Sequence, residues 1–212
     1  MRLTIFSLSK SQEVILARRR NVDHDTVVAA AVDLFWDRGY RGANTRAIEE
    51  KTGLTRFTLQ TTYGGKERFF LDTLDAYLDN AEANHFPDPE TFDLDALANW
   101  FEQIANEDRM PQINQSGCLA FNSISEFARG DVEINKRVER YMTGFEDRVY
   151  QILQKAVDGR EAHKGVKPAE MARVLVDLLL GLHVVIKARS NNALPQVHAK
   201  SAADLIRSWK RA

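Results

Sequence analysis

Between Thr45 and Tyr63, side chains able to grip a base edge fall on one face of a short helical segment. In the run Thr55-Arg56-Phe57-Thr58-Leu59-Gln60-Thr61, Thr55 is a good helix N-cap, and Arg56, Phe57, Thr58, Gln60 and Thr61 stay on the outer side. Arginine can pair with both acceptors of a guanine, glutamine can grip an adenine, and threonine or phenylalanine can touch a thymine methyl. Ile48 and Thr52 before the turn, Leu54 within it, and Leu59 with Tyr63 after it are spaced to face inward. Gly53 supplies the sharp turn between two short helices that cross steeply. This is a helix-turn-helix arrangement, whose second helix would enter a major groove by its N-terminal end. A plain helical hairpin with a polar face would carry the same pattern.

The other reactive side chains form no such set. His24, His85, His163, His183 and His198 are scattered, with neither an HExxH run nor Cys/His ligand spacing, so no metal site is expected. There is no Gly-rich phosphate loop and no Gly-x-Ser-x-Gly elbow, so neither catalysis nor a cofactor is expected. His183 lies within an apolar helix and reads as a hydrogen-bonded core or interface residue. In Ser116-Gly117-Cys118-Leu119 the lone thiol stands at an expected helix start, where the dipole favours thiolate; an inert packing cysteine fits the same position. A single cysteine excludes an intramolecular disulfide and suits a reducing cytosol. The first eight residues lack a signal-peptide core, and the apolar stretch Leu178 to Ile186 is too short to span a bilayer, so a cytoplasmic protein with no membrane partner is expected.

The elements that must position these residues are helical throughout. Proline and glycine punctuate a chain of 212 residues that otherwise keeps a 3.6-residue period without β alternation. Residues 1–22 read as a flexible basic arm ending in Arg18-Arg19-Arg20, which could follow phosphates or enter a minor groove. Asp23 is a plausible N-cap for a first helix carrying Val27, Ala30, Ala31, Leu34 and Phe35, which Gly39 stops. Short helices over 45–52 and 56–62 follow, then a longer one over 66–84. Further helices are expected near 93–107, 117–129, 131–157, 168–189 and 198–210, about nine in all. Charge is divided accordingly. Residues 1–70 hold 12 Lys or Arg against 8 Asp or Glu, a net of +4, and residues 71–212 carry a net of −5. A basic head on an acidic body suits a DNA-reading module joined to a module with another task.

Several motifs at fixed mutual spacing carry a family resemblance. Leu34-Phe35-Trp36-Asp37-Arg38-Gly39-Tyr40, then Thr45-Arg46-Ala47-Ile48, then Thr52-Gly53-Leu54-Thr55, then Lys66-Glu67 resemble the N-terminal domain of the TetR family over residues 24–80. The resemblance implies an all-α protein: a three-helix helix-turn-helix head over 23–69 and a larger helical ligand-binding and dimerisation body over 70–212. It also implies a homodimeric, sequence-specific transcriptional regulator, most simply a repressor released from a palindromic double-stranded operator by a small molecule. Position by position, Thr45 and Arg46 would contact DNA, Thr55 to Thr61 would form the recognition helix, and Lys66 would hold a phosphate at the start of the fourth helix. The chain departs from the family in having Gln60 for the usual tyrosine, Phe57 for a small residue and Glu49 for alanine. These changes remove one customary backbone contact and suggest an unusual operator, with Glu49 expected on a solvated face.

In the body, the helix near 168–189 is apolar on nearly every side, so both faces need cover. Val174, Leu178, Leu182 and Val185, with Ala202, Leu205, Ile206 and Trp209 on the last helix, are expected at a four-helix dimer interface, an ordinary monomer core being the alternative. The resemblance places a small-molecule cavity among the aromatic-rich middle helices. Trp100, Phe101, Ile104, Cys118 and Phe121 are expected to line it, with Gln103 and Asn122 as polar orienters and a partly apolar effector as occupant. Two other readings stay open: a helical dimer whose head no longer reads a specific operator, and a small-molecule enzyme, for which no residue pattern speaks.

Overall fold

Capping residues set where each helix begins. The computed structural model describes residues 24–109, 113, 116–127, 131–188 and 193–211; the basic arm and Asp23 lie outside them. Helix α1 spans His24–Gly42 and kinks at Gly39, whose φ of 70° a side chain would disfavour. Asn44 caps α2 (Thr45–Thr52), accepting the Ala47 N–H at 2.9 Å, and Thr55 caps α3 (Arg56–Tyr63), accepting the Thr58 N–H at 3.1 Å. Gly53, left-handed at φ 74°, makes the turn between them. Helix α4 (Gly65–Asn84) leaves the head and enters the body. Asp93 caps α5 (Leu94–Ile104), accepting the Ala96 N–H at 2.7 Å; α6 is Leu119–Phe127, and Asp131 caps α7 (Val132–Asp158).

The last two helices are α8 (Pro168–Ala188) and α9 (Leu194–Ser208). Helix α9 starts four residues earlier than the sequence pattern suggests. Pro195, read as a break, sits buried in its first turn, where a missing N–H costs nothing. Helix α5 ends sooner than expected because Asn106 Oδ1 takes the N–H groups of Asp108 and Arg109, making a turn in place of the next helical bonds. Among the described residues the only β pairing is an isolated bridge between Ala162 and Lys210.

Helices α1, α2 and α3 surround Phe35, Ile48, Leu54 and Leu59, and α4 closes that cluster with Phe69 and Phe70. The same α4 then runs against α6 and α7 with Leu74, Tyr77 and Leu78. Helix α8 lies on α7, and α9 lies on α5. The α5 face Leu94, Leu97, Ala98, Phe101 and Ile104 is buried, and Ala199, Ala202, Ala203 and Ile206 of α9 give it a surface of small residues. Each large apolar side chain so covered contributes about 1.5–3 kcal/mol. Polar ties fix the same pair: Arg207 donates to Glu102 at 2.8 Å and to Asn99 at 2.7 Å, and Lys210 meets Asp95 at 2.6 Å.

Candidate functional site

The recognition surface is built by burying one side of two short helices. Ile48, Thr52, Leu54, Leu59 and Tyr63 all face inward, as their spacing requires, and Tyr63 stacks on His24 and meets Phe69 edge-on. Arg56, Phe57, Gln60 and Thr61 are exposed around the opposite side of α3, with Thr55 at its start and Thr58 half-buried beside it. Phe57 is 76% exposed, a large apolar side chain with no partner of its own in the monomer. Thr45 is half-buried at the start of α2, and Arg46 extends from the same turn toward Glu50 at 2.9 Å. Both members of that pair are well exposed, so the bond is worth little and leaves Arg46 available.

Glu49 is solvent-accessible, as the sequence suggests, but it also makes a specific bond. Its Oε1 accepts the Arg56 N–H at 2.6 Å, occupying a free donor at the start of the recognition helix. A carboxylate there also suits the helix dipole, so this departure from the family pattern serves to brace α3. Lys66 lies in the first turn of α4, half-buried, with its ammonium 4.3 Å from the centre of the Tyr40 ring. Burial holds its pKa below the ordinary lysine value, and the nearby Glu126 carboxylate opposes that shift.

Glu126 is the second feature the sequence does not disclose. From α6 its two carboxylate oxygens accept the N–H groups of Tyr40 at 2.7 Å and Arg41 at 2.9 Å. The left-handed Gly39 turns those two amides toward it, and a Cβ at Gly39 would lie 2.8 Å from both oxygens. Trp36, one turn earlier on α1, donates its indole N–H to the Gly117 carbonyl at 2.7 Å, just before α6. The head helix α1 is thus fastened to the body at two points.

In the body, α1, α4, α5, α7 and α8 enclose a cavity of about 220 Å³. Its walls are mostly aromatic: Trp36, Tyr77, Phe86, Trp100 and Tyr141, with Ile104 and Leu179 between them. Of the expected lining residues, Trp100 and Ile104 are there. Phe101 is fully buried in the α5–α9 core, and Gln103 is half-buried outside the cavity. Phe121 and Asn122 line a separate groove between α6 and α8, and Asn122 is committed to the Ser116 carbonyl at 2.8 Å. Cys118 lies behind the wall, where Tyr77 donates its hydroxyl to the sulfur at 3.3 Å. Burial pushes the Cys118 thiol up, which favours the packing-cysteine reading over the thiolate. His183 lines both cavities and packs on Phe121; it is buried, and among the described residues its Nδ1 has no hydrogen-bond partner. Burial lowers its pKa to about 4, so the ring is neutral at pH 7.

The residues expected at a dimer interface divide into two groups. Leu182, Ala202, Ile206 and Trp209 are buried inside the subunit, because α8 packs on α7 and α9, and α9 spends its apolar face on α5; they have almost no surface left for a partner. Val174 and Leu205 are exposed and Leu178 and Val185 half-exposed; Val184 on α8 and Val197 on α9 are also exposed, Val184 by 60%. Among the described residues no group of three His, Cys, Asp or Glu could hold a metal ion, and no helix is long and apolar enough to cross a membrane.

An outward-facing recognition helix on a small head, fastened to a helical body with its own cavity, defines a helix-turn-helix DNA-binding regulator. Residues 27–73 match the family described as bacterial regulatory proteins, tetR family, and residues 94–202 match the tetracyclin repressor-like C-terminal domain. The chain belongs to the TetR family of transcriptional regulators. It is 26% identical over 194 residues to the HTH-type transcriptional regulator YezE of Bacillus subtilis, covering 90% of this chain and 100% of that one. It is also 26% identical to the HTH-type transcriptional repressor ComR of Escherichia coli, covering 91% of each. Among solved structures, a TetR-family regulator from Cytophaga hutchinsonii superposes with a TM-score of 0.79 at 17% identity, over 98% of this chain and 100% of that chain.

Proposed function

We propose that this regulator is a cytoplasmic homodimeric repressor, held on a palindromic operator until a small molecule enters the body cavity. The observation that carries the reading is the composition of the cavity wall. Trp36 comes from α1 of the head, and Tyr77, Asn80 and Ala81 come from α4, which also closes the head core. An occupant that fits better with either helix displaced would shift the population toward heads spaced wrongly for DNA. Operator and ligand would then weaken each other by the same factor, typically about 5–150-fold. The E. coli relative's designation as a repressor supports the sign of regulation. Arg46, Arg56, Phe57 and Gln60 are the base-reading candidates, with Thr45, Thr55, Thr58 and Thr61 around them. Lys66 is assigned a phosphate, which it would reach by leaving the Tyr40 ring.

Selection from random duplex DNA tests the reading. The expected product is a palindrome with half-site centres about 34 Å apart, matching two symmetry-related heads. On that duplex, Arg56→Ala should cost about 1–3 kcal/mol and relax selectivity at one position per half-site. Enrichment of no sequence would leave a helical dimer whose head no longer reads DNA.

A further inference from the structure

The cavity's polar atoms restrict what can occupy it. Both indole N–H groups are spent on protein carbonyls, Trp36 on Gly117 and Trp100 on His85, each at 2.7 Å. The Tyr77 hydroxyl is spent on Cys118, and the Asn80 carbonyl oxygen accepts from Asn84 at 2.9 Å. These side chains therefore present ring faces more than hydrogen bonds. Among the described residues, the wall groups without a side-chain hydrogen bond are the buried Nδ1 of His183 and, at more open positions, the Arg109 guanidinium, the His85 ring and the Asn80 amide nitrogen, of which Arg109 alone is a permanent cation. Arg109 is exposed, so the cavity reaches solvent at that end; His85, also exposed, stands in the same wall. Among the described residues no Asp or Glu lines the cavity and Arg109 forms no ion pair, although Glu107 and Asp108 precede it. An apolar cavity of about 150 Å³ takes one benzene ring, so about 220 Å³ suits a substituted ring or two fused rings.

We propose that the cavity binds a small aromatic acid, its one or two fused rings among Trp36, Phe86, Trp100 and Tyr141 and its carboxylate at the Arg109 end. Ring faces supply stacking and area without demanding donors from the ligand. Arginine supplies a planar fork matched to a carboxylate, and a cation with no acidic neighbour in the wall selects against a cationic ligand. A ring hydroxyl or ring nitrogen at the deep end would satisfy His183 Nδ1, which a neutral imidazole can meet as acceptor or donor. This ligand class rests on the proposed effector role of the cavity, and the experiment separates the two.

The test uses the full chain with Trp209→Phe, which leaves Trp36 and Trp100 as the remaining tryptophans, both in the cavity wall. Quenching of their fluorescence at pH 7 is titrated with 1-naphthoate, the neutral isostere 1-naphthamide, and hexanoate, with calorimetry on the unmodified chain as a second measurement. The expected result is saturable naphthoate binding, roughly three- to tenfold tighter than naphthamide, as a solvent-reached ion pair allows. Hexanoate should bind more weakly than naphthoate. Arg109→Gln, on an exposed turn, should abolish the preference for the acid while leaving naphthamide affinity unchanged. Equal binding of acid and amide, a preference that survives Arg109→Gln, hexanoate matching naphthoate, or no binding of either aromatic would each overturn the proposal. Release of the protein from its selected operator is then measured with the same compounds. Naphthoate binding without release keeps the ligand class and removes the effector role. Release by a compound against which naphthoate cannot compete overturns the class and keeps the effector role.

Discussion

His183 is the side chain on which stability and function pull apart most clearly. Its ring is buried in the cavity wall, and among the described residues no protein group pairs with its Nδ1. The unfolded imidazole titrates near 6.5 and the folded one near about 4. Because the folded pKa is depressed, stability is full above pH 6.5 and is lost as pH falls toward 4, where the unfolded chain takes up the proton first. Between pH 7.5 and 4.5 this one group should remove about 2–3 kcal/mol. His183→Leu should be more stable than the parent at pH 7.5 and should lack that part of the acid loss in urea unfolding at both pH values. Identical pH dependence in the two proteins would assign the loss to carboxylates. The sequence places His183 in an apolar helix, which is where it is. Its missing partner could not be read there, because hydrogen bonding depends on what α6 and α7 bring against α8. Glu49 is a similar case: its run reads as a solvated face, and only the folded turn carries its carboxylate to the Arg56 N–H seven residues on.

At the scale of elements, the caps and breakers made most helices legible. Gly53 and Thr55, read from the sequence, act within a few residues of where they stand, as do Asn44, Asp93 and Asp131, caps that the structure adds. The joints between elements were not legible. Glu126 reads as an ordinary polar residue, yet it bonds amides 85 and 86 residues earlier. Trp36 belongs to the motif that carries the head's family resemblance, yet it lines the body cavity. These two residues tie α1 to α6, and α6 also carries Phe121 against His183 and Tyr141. Glu126→Ala should release the Tyr40 and Arg41 amides, raising their hydrogen exchange at least about tenfold, with a stability loss of about 1–3 kcal/mol for two bonds to a charged acceptor. Core amides of α7 should slow or speed only with that global loss. Unchanged exchange at Tyr40 and Arg41 would mean that α1 holds its end without α6.

At the scale of the whole molecule, the proposed dimer needs a surface, and the exposed apolar side chains of α8 and α9 are the candidates for it. Val174, Val184, Val197 and Leu205 are these side chains, and Gly181 has open space where a Cβ would be. Val184→Asp should give a monomer that keeps its helical circular dichroism and loses affinity for the palindrome, since one head alone cannot span two half-sites. Ile206→Asp, inside the subunit, should instead unfold the body. A Val184→Asp protein that still sediments as a dimer would place the interface elsewhere. The sequence could assign apolar residues to α8 and α9 but not divide them between core and interface, because that division depends on how much of α9 the distant α5 consumes.

The pairing of α5 with α9 also orders events on the ribosome. The head core and α4 are complete once residue 84 has emerged. Helix α5 follows at once, but its partner does not: Asn99 waits for Arg207, 108 residues later, and Asp95 for Lys210, 115 residues later. At about 5–20 residues per second, the face of Leu94, Leu97, Ala98, Phe101 and Ile104 lacks its native cover for roughly ten seconds. A nascent chain with a finished head and an uncovered α5 is therefore an obligatory stage of its synthesis. The segments of the DNA-reading module are thus complete in the nascent chain before those of the module that would govern it.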